Sequence, residues 1–217
     1  MTKIKICGLF RDCDIEYVNT AMPDYIGFVF AGSRRQVTPY RAACLREKLA
    51  EGIIPAGVFV NAPVEEIKRL SDEGIIEVVQ LHGSEDAGYV KALREEVRIP
   101  IIKAISSDKL GNTGQYKIPK PDEMIGQNKI IKHYEEAGVD YLLFDSGNGG
   151  TGNAFDWKLV PETKLPFFLA GGLSQENIEE AVRVTNPFGV DLSSGVETGG
   201  IKDKQKILEV VRRVRNV

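Results

Sequence analysis

Residues 166–195 read PFFLAGGLSQENIEEAVRVTNPFGVDLSSG. A β-rich apolar run, 166–170, ends in Gly171-Gly172. A hydroxyl at Ser174 then opens a stripe of Ile178, Ala181 and Val182 at helical spacing, and a second apolar run, 189–192, ends in Ser193-Ser194-Gly195. Strand, helix and strand within one short segment make a βαβ unit, whose two strands must lie parallel because the chain returns through the helix.

The same alternation extends outward in both directions. Apolar runs at 4–7, 25–30, 55–60, 78–81, 99–104 and 141–145 join the two above to give eight candidate strands. Between them stand amphipathic stretches with recognisable starts. Thr38-Pro39 precedes Ala42, Leu45 and Leu49; Ser84-Glu85-Asp86 precedes Tyr89, Val90 and Leu93; Asp203 precedes Ile207, Leu208, Val211 and Val214, with Arg212, Arg213 and Arg215 at the dipole-favoured end. Eight strands separated by helices fit a closed (β/α)₈ barrel better than an open doubly wound sheet, which usually has fewer strands and exposed edges. Residues 106–126 show no helical period and read as a long loop. With no break in composition, residues 1–217 read as a single α/β barrel domain.

Composition narrows the class of partner. The 217 residues are 42% hydrophobic, and 28 Lys plus Arg stand against 31 Asp plus Glu, for a net charge of −3. No basic surplus points to nucleic acid or an anionic membrane, so a small molecule is the expected partner. No apolar run is long enough to span a bilayer, and the N-terminus lacks a signal-peptide core, which predicts a cytoplasmic protein. Three cysteines, Cys7, Cys13 and Cys44, and two histidines match neither a disulfide framework nor a zinc site.

In such a barrel the working residues stand at the C-terminal ends of the strands. Cys7-Gly8 follows the first run, Ser33-Arg34-Arg35 the second, His82-Gly83 the fourth, Asp145 ends the sixth, Gly171-Gly172 follows the seventh and Ser193-Ser194-Gly195 the eighth. The last two clusters would expose backbone N–H groups, and with a helix opening at Ser174 they would form a phosphate site; each alone is equally a tight turn. Cys7 reads as a small buried hydrophobe or, in an electropositive setting that lowers its pKa, as a nucleophile or base. Asp145, at the edge of an apolar strand, reads as a partly desolvated general acid or as a support for the glycine-rich segment 147–152 behind it. Arg34 and Arg35 suit a carboxylate or form a solvated surface pair. His82 is a polar mouth residue or a structural one, and Asp191 reads as structural.

Taken in order, Lys5-Ile6-Cys7-Gly8, Ser33-Arg34-Arg35, Gly57-Val58-Phe59-Val60-Asn61, Gln80-Leu81-His82-Gly83, Gly149-Gly150-Thr151-Gly152, Leu169-Ala170-Gly171-Gly172 and Val190-Asp191-Leu192-Ser193-Ser194-Gly195-Val196-Glu197 resemble the phosphoribosylanthranilate isomerase family of tryptophan biosynthesis. The resemblance implies an Amadori rearrangement without cofactor or metal, by a monomer or homodimer. It implies Asp145 as general acid, Cys7 as general base, Arg35 and His82 as substrate contacts, and Gly171, Gly172, Ser194 and Gly195 as the phosphate grip. On the residues alone, a related sugar-phosphate epimerase and a non-catalytic barrel binding a phosphorylated ligand remain open.

Overall fold

Eight parallel strands close into a barrel in simple sequence order, β1 pairing both β2 and β8. They are β1 (Lys3–Cys7), β2 (Tyr25–Val29), β3 (Ile54–Phe59), β4 (Val78–Leu81), β5 (Ile101–Ser106), β6 (Tyr141–Asp145), β7 (Phe167–Leu169) and β8 (Gly189–Leu192). The computed structural model describes residues 1–106, 121–145, 157 and 160–217, with backbone alone for 121–127. Segment 147–152 and most of 106–126 therefore lie outside the described residues.

The helices are α1 (Asp12–Ala21), α2 (Pro39–Arg46), α3 (Val64–Asp72), α4 (Ala87–Glu96), α5 (Pro121–Ala137), α6 (Ile178–Thr185) and α7 (Lys204–Arg215). A two-stranded antiparallel ribbon, β9 (Glu197–Thr198) with β10 (Ile201–Lys202), lies between β8 and α7. Two expected caps hold: Thr38 accepts from the N–H of Arg41, and Asp203 from those of Gln205 and Lys206. Others move. Asp86, not Ser84, caps α4 by accepting from the N–H of Tyr89, because Glu85 is drawn inward. Along α7, Val210 is buried and Leu208 only half-buried, so the apolar face is rotated from the expected one. Helix α5 begins at Pro121, inside the stretch read as loop; its first nine residues, PDEMIGQNK, carry only Met124 and Ile125 as large apolar residues, side by side in sequence, so no helical period shows until Ile130 and Ile131.

Strand alternation divides the core in two. Outward-facing residues such as Ile4, Ile6, Phe28, Val79 and Leu192 pack against the helices. Inward-facing residues, among them Tyr25, Ala56, Val78, Ile102, Leu143 and Phe168, fill the lumen, where Phe168 stacks edge-on to Tyr25, Tyr141 and Phe188. The inward row of β1 continues from Lys5 to Cys7, that of β4 from Val78 to Gln80, and that of β6 from Leu143 to Asp145. The filled half of the barrel thus passes directly into its polar mouth.

The layer between sheet and helices holds one buried ion pair. Lys103 of β5 meets Glu85 at 2.7 Å with both side chains almost completely buried. Its ammonium also donates to the carbonyl of Gly83 and lies over the ring of Tyr134 from α5. Glu85 accepts in addition from the N–H groups of Asn61 and Gly83, which ties the loops after β3 and β4 together. Burial works to raise the pKa of Glu85, but Lys103 and the Asn61 N–H outweigh it and hold the carboxyl below its usual range.

Glu85→Ala breaks this buried pair and leaves the N–H groups of Asn61 and Gly83 without their acceptor, and is expected to cost about 3–5 kcal/mol in urea unfolding. In the parent protein the carboxylate's contribution is present above its unfolded pKa of about 4.3 and is lost as pH falls through the depressed folded value. A loss below about 1 kcal/mol in Glu85→Ala, the range of an exposed pair, would contradict this role.

Candidate active site

The C-terminal ends of the strands enclose a cavity of about 310 Å³, and all eight candidate residues, Cys7, Arg35, His82, Asp145, Gly171, Gly172, Ser194 and Gly195, line it. The closed sheet brings them together although they span 189 positions of sequence, from 7 to 195.

Cys7 sits at the top of the lumen, 8% exposed. Two residues below it on the same face, the wholly buried Lys5 ammonium meets Asp191 at 2.9 Å. Burial alone would lower the pKa of Lys5, but Asp191 and the Cys7 sulfur reverse this and raise it. For Cys7 the balance runs the other way: burial pushes the thiol up, and the ammonium groups of Lys5 and Lys202 oppose it without winning. The lowered pKa that the nucleophile-or-base reading of Cys7 called for is not found. An electropositive setting exists, but desolvation of the sulfur is the larger effect. Asp191, read as structural, holds Lys5 in a buried pair and also lines the cavity, where its Oδ1 has no partner among the described residues.

Asp145 ends β6 with 17% of its side chain exposed. Its Oδ2 lies 3.3 Å from Nε2 of His82, and Nδ1 of His82 lies 3.0 Å from Nε2 of Gln80. His82 therefore faces the acid candidate as well as the open cavity.

Arg35 holds a carboxylate already, one from its own chain. Its Nε and Nη2 donate to the two oxygens of Glu197 at 2.7 and 2.9 Å, leaving the Nη1 edge of the fork outside this pair. Arg34 at 2.6 Å and Lys202 at 2.7 Å converge on the same carboxylate, which is nearly buried. Burial would raise the pKa of Glu197, but Arg35 and Lys202 outweigh it and keep the group ionised. Neither Glu197 nor Lys202 was singled out from sequence. The motif containing Glu197 was visible, but the ribbon that folds β9 and β10 against the mouth had no signal in so short a segment. The pairs Lys5–Asp191 and Glu197 with Arg34, Arg35 and Lys202 leave two positive charges in excess before Asp145 is counted. This local field is opposite in sign to the net charge of −3 and suits an anionic ligand.

The glycine loops meet at the far side. Gly171 and Gly172 both have positive φ, 83° and 65°, where a side chain is strained. A Cβ on Gly195 would stand 1.8 Å from the carbonyl oxygen of Leu173, so only glycine allows the loop after β8 to lie on the loop after β7. Among the described residues, the N–H groups of Gly171, Gly172, Ser194 and Gly195 find no protein acceptor. The helix does not open at Ser174. Residues Ser174 to Asn177 form a closed turn, with Asn177 Oδ1 accepting from the Ser174 N–H, and α6 starts at Ile178. A short 3₁₀ helix, Ser194–Val196, stands at the mouth in its place.

A family model described as N-(5'-phosphoribosyl)anthranilate (PRA) isomerase matches residues 4–213. Proteins named N-(5'-phosphoribosyl)anthranilate isomerase from Endomicrobium trichonymphae and Caldanaerobacter subterraneus are 43% and 40% identical to the chain, each aligned over the whole of both sequences. Among solved structures, the isomerase of Pyrococcus furiosus superposes with a TM-score of 0.80 at 27% identity over the full length of both chains. A phosphoribosyl anthranilate isomerase in complex with reduced 1-(o-carboxyphenylamino)-1-deoxyribulose 5-phosphate superposes with a TM-score of 0.77 at 28% identity, also over both full chains.

In a background where Cys13 and Cys44 are serine, the rate of Cys7 alkylation is expected to rise with a midpoint above the ordinary thiol value of about 8.5. Lys5→Met should move that midpoint higher still. A thiolate already formed at neutral pH would show that the two ammonium groups, not burial, dominate.

Proposed function

The chain belongs to the N-(5'-phosphoribosyl)anthranilate isomerase family, and from that membership we propose how its mouth divides the work of the isomerisation. The reaction converts N-(5'-phosphoribosyl)anthranilate into 1-(2-carboxyphenylamino)-1-deoxyribulose 5-phosphate in tryptophan biosynthesis, an intramolecular aldose–ketose change. Membership sets aside the epimerase and the non-catalytic barrel.

Asp145 is the general acid. It protonates the ribose ring oxygen, the C1–O bond breaks, and the anthranilate nitrogen lone pair forms an iminium at C1. Cys7 is the general base. Its thiolate removes the proton from C2, the electron pair of that bond moves to form the C1–C2 double bond, and the enolamine tautomerises to the 2-ketone as C1 gains a proton. The reaction needs the two groups in opposite protonation states: Asp145 gives up its proton at the end of an apolar strand, and the ammonium groups of Lys5 and Lys202 favour the Cys7 thiolate that burial opposes. Because burial raises Cys7, its thiolate is the minor form at neutral pH and is correspondingly basic.

Arg35 grips the anthranilate carboxylate through the Nη1 edge that Glu197 leaves available, and His82 borders the ribose beside Asp145. The N–H groups of Gly171, Gly172, Ser194 and Gly195 receive the phosphate. The observation that carries this reading is the enclosure of Cys7, Asp145, Arg35 and both glycine loops by a single cavity. Residues 1–217 act as one catalytic barrel domain. The three cysteines are unpaired, which supports a place in the reducing cytoplasm. Among the described residues no helix is long and apolar enough to cross a membrane.

Cys7→Ser and Asp145→Asn are each expected to lower kcat by about 10²–10⁴-fold with the fold retained. Arg35→Ala loses a charged hydrogen bond to the substrate, about 1.5–3 kcal/mol, and should raise KM by roughly 10- to 100-fold. Steady-state kinetics with circular dichroism as the folding control decide it. Near-normal kcat in either of the first two variants removes the role given to that residue, and an unchanged KM in the third removes the carboxylate grip.

A further inference from the structure

We propose that Gln80 is a positioning residue for the general acid: its side-chain amide holds His82 as the Nε2–H tautomer, and that N–H holds one oxygen of Asp145. The inference rests on the reading of Asp145 as the acid and adds to it the two groups that keep its proton available to substrate.

The geometry is a short chain of contacts across three positions. Gln80 points into the barrel from β4 and is 1% exposed. Its amide nitrogen lies 3.0 Å from Nδ1 of His82. An amide nitrogen carries hydrogens and offers no acceptor, so Nδ1 must present its lone pair. In the neutral ring the hydrogen then resides on Nε2, and Nε2 is the atom 3.3 Å from Asp145 Oδ2. That separation is at the long end of hydrogen-bond reach, as unliganded catalytic contacts often are. The other amide atom, Oε1 of Gln80, is buried and has no partner among the described residues. Among the described residues, the remaining charged or titratable groups bordering the cavity are Cys7, Arg35 and Asp191. Lys103 on the neighbouring strand is engaged by Glu85.

The tautomer matters because the two possibilities act on Asp145 in opposite ways. With Nε2 bare, the imidazole would be a proton acceptor 3.3 Å from the acid and would compete with the ribose ring oxygen. With Nε2 protonated it cannot accept. It instead donates to the carboxylate that appears as Asp145 releases its proton, an interaction stronger after the transfer than before it. The histidine thus needs a fixed tautomer, and a residue that can only donate from the amide nitrogen supplies it.

The test is ¹⁵N NMR of the histidine rings in the whole unliganded protein at mildly alkaline pH. There are only two histidines, and His133→Asn identifies the signals of His82. The expected result is a pyridine-type Nδ1 and a pyrrole-type Nε2. A pyrrole-type Nδ1 in the parent protein overturns the inference while leaving the acid role of Asp145 intact. Gln80→Leu should give a mixed tautomer signature and lower kcat by about 10–100-fold, the range for partners that fix a histidine's orientation, with KM little changed. Gln80→Glu, nearly the same shape and so suited to the fold if the leucine variant is not, places an acceptor on Nδ1. It should turn Nδ1 into the protonated nitrogen, with a similar loss of kcat. A changed tautomer with unchanged kcat overturns the inference. Retained turnover in Asp145→Asn would instead remove the acid on which both readings stand.

Discussion

Closure of the parallel sheet is the constraint from which the site follows. Side chains alternate along a strand, so once eight strands close, every second residue is forced into the lumen and the last inward position of each strand into the mouth. Cys7 stands two residues beyond Lys5, Asp145 two beyond Leu143, His82 two beyond Gln80 and Ser193 two beyond Asp191. Each mouth residue therefore stands above a lumen residue, and two of these, Lys5 under Cys7 and Gln80 under His82, interact with the residue above. Shifting one strand by a single residue would place a core side chain in the mouth and a polar one among the helices.

Charge is arranged in the same layered fashion. The lumen pair Lys5–Asp191 lies under Cys7, and the carboxylate of Glu197 gathers Arg34, Arg35 and Lys202 at the rim. The rim cluster fixes the direction of Arg35 before substrate arrives, which reduces the ordering cost of binding. Lys202 is itself affected: burial pulls its pKa down against the pull of Glu197. It reaches the carbonyl of Ser193 at 2.9 Å, so it also anchors the loop that presents Ser194 and Gly195. The pair Lys103–Glu85 fixes the loops after β3 and β4 from outside the barrel. Three clusters thus brace three sectors of one mouth.

Much of this was legible in the sequence because it depends on local pattern. The eight apolar runs fall on the eight strands with ends displaced by at most two residues, and β4, β6 and β8 match at both ends. The mouth residues were legible because strand ends are marked by the switch from apolar to Gly, Ser, Arg or Asp. What escaped notice depends on tertiary contact. Ser84 looks as good a cap as Asp86 until Lys103 draws Glu85 inward, and Ser174 looks like a helix start until Asn177 closes a turn over it. The two readings of Cys7, small buried hydrophobe and thiolate in an electropositive setting, stayed open because the degree of burial that holds the thiol up is a property of the closed barrel. Glu197 and Lys202 lie on a ribbon of two-residue strands, too short to carry a period.

The most direct measurement is a progress curve with freshly prepared N-(5'-phosphoribosyl)anthranilate, followed by its anthranilate-type fluorescence and by identification of the product. An acid–base barrel isomerase should remove the fluorescence at a rate proportional to protein concentration, without added metal or cofactor, and yield 1-(2-carboxyphenylamino)-1-deoxyribulose 5-phosphate. Spontaneous breakdown alone, with free anthranilate as the product and no dependence on protein, would contradict it.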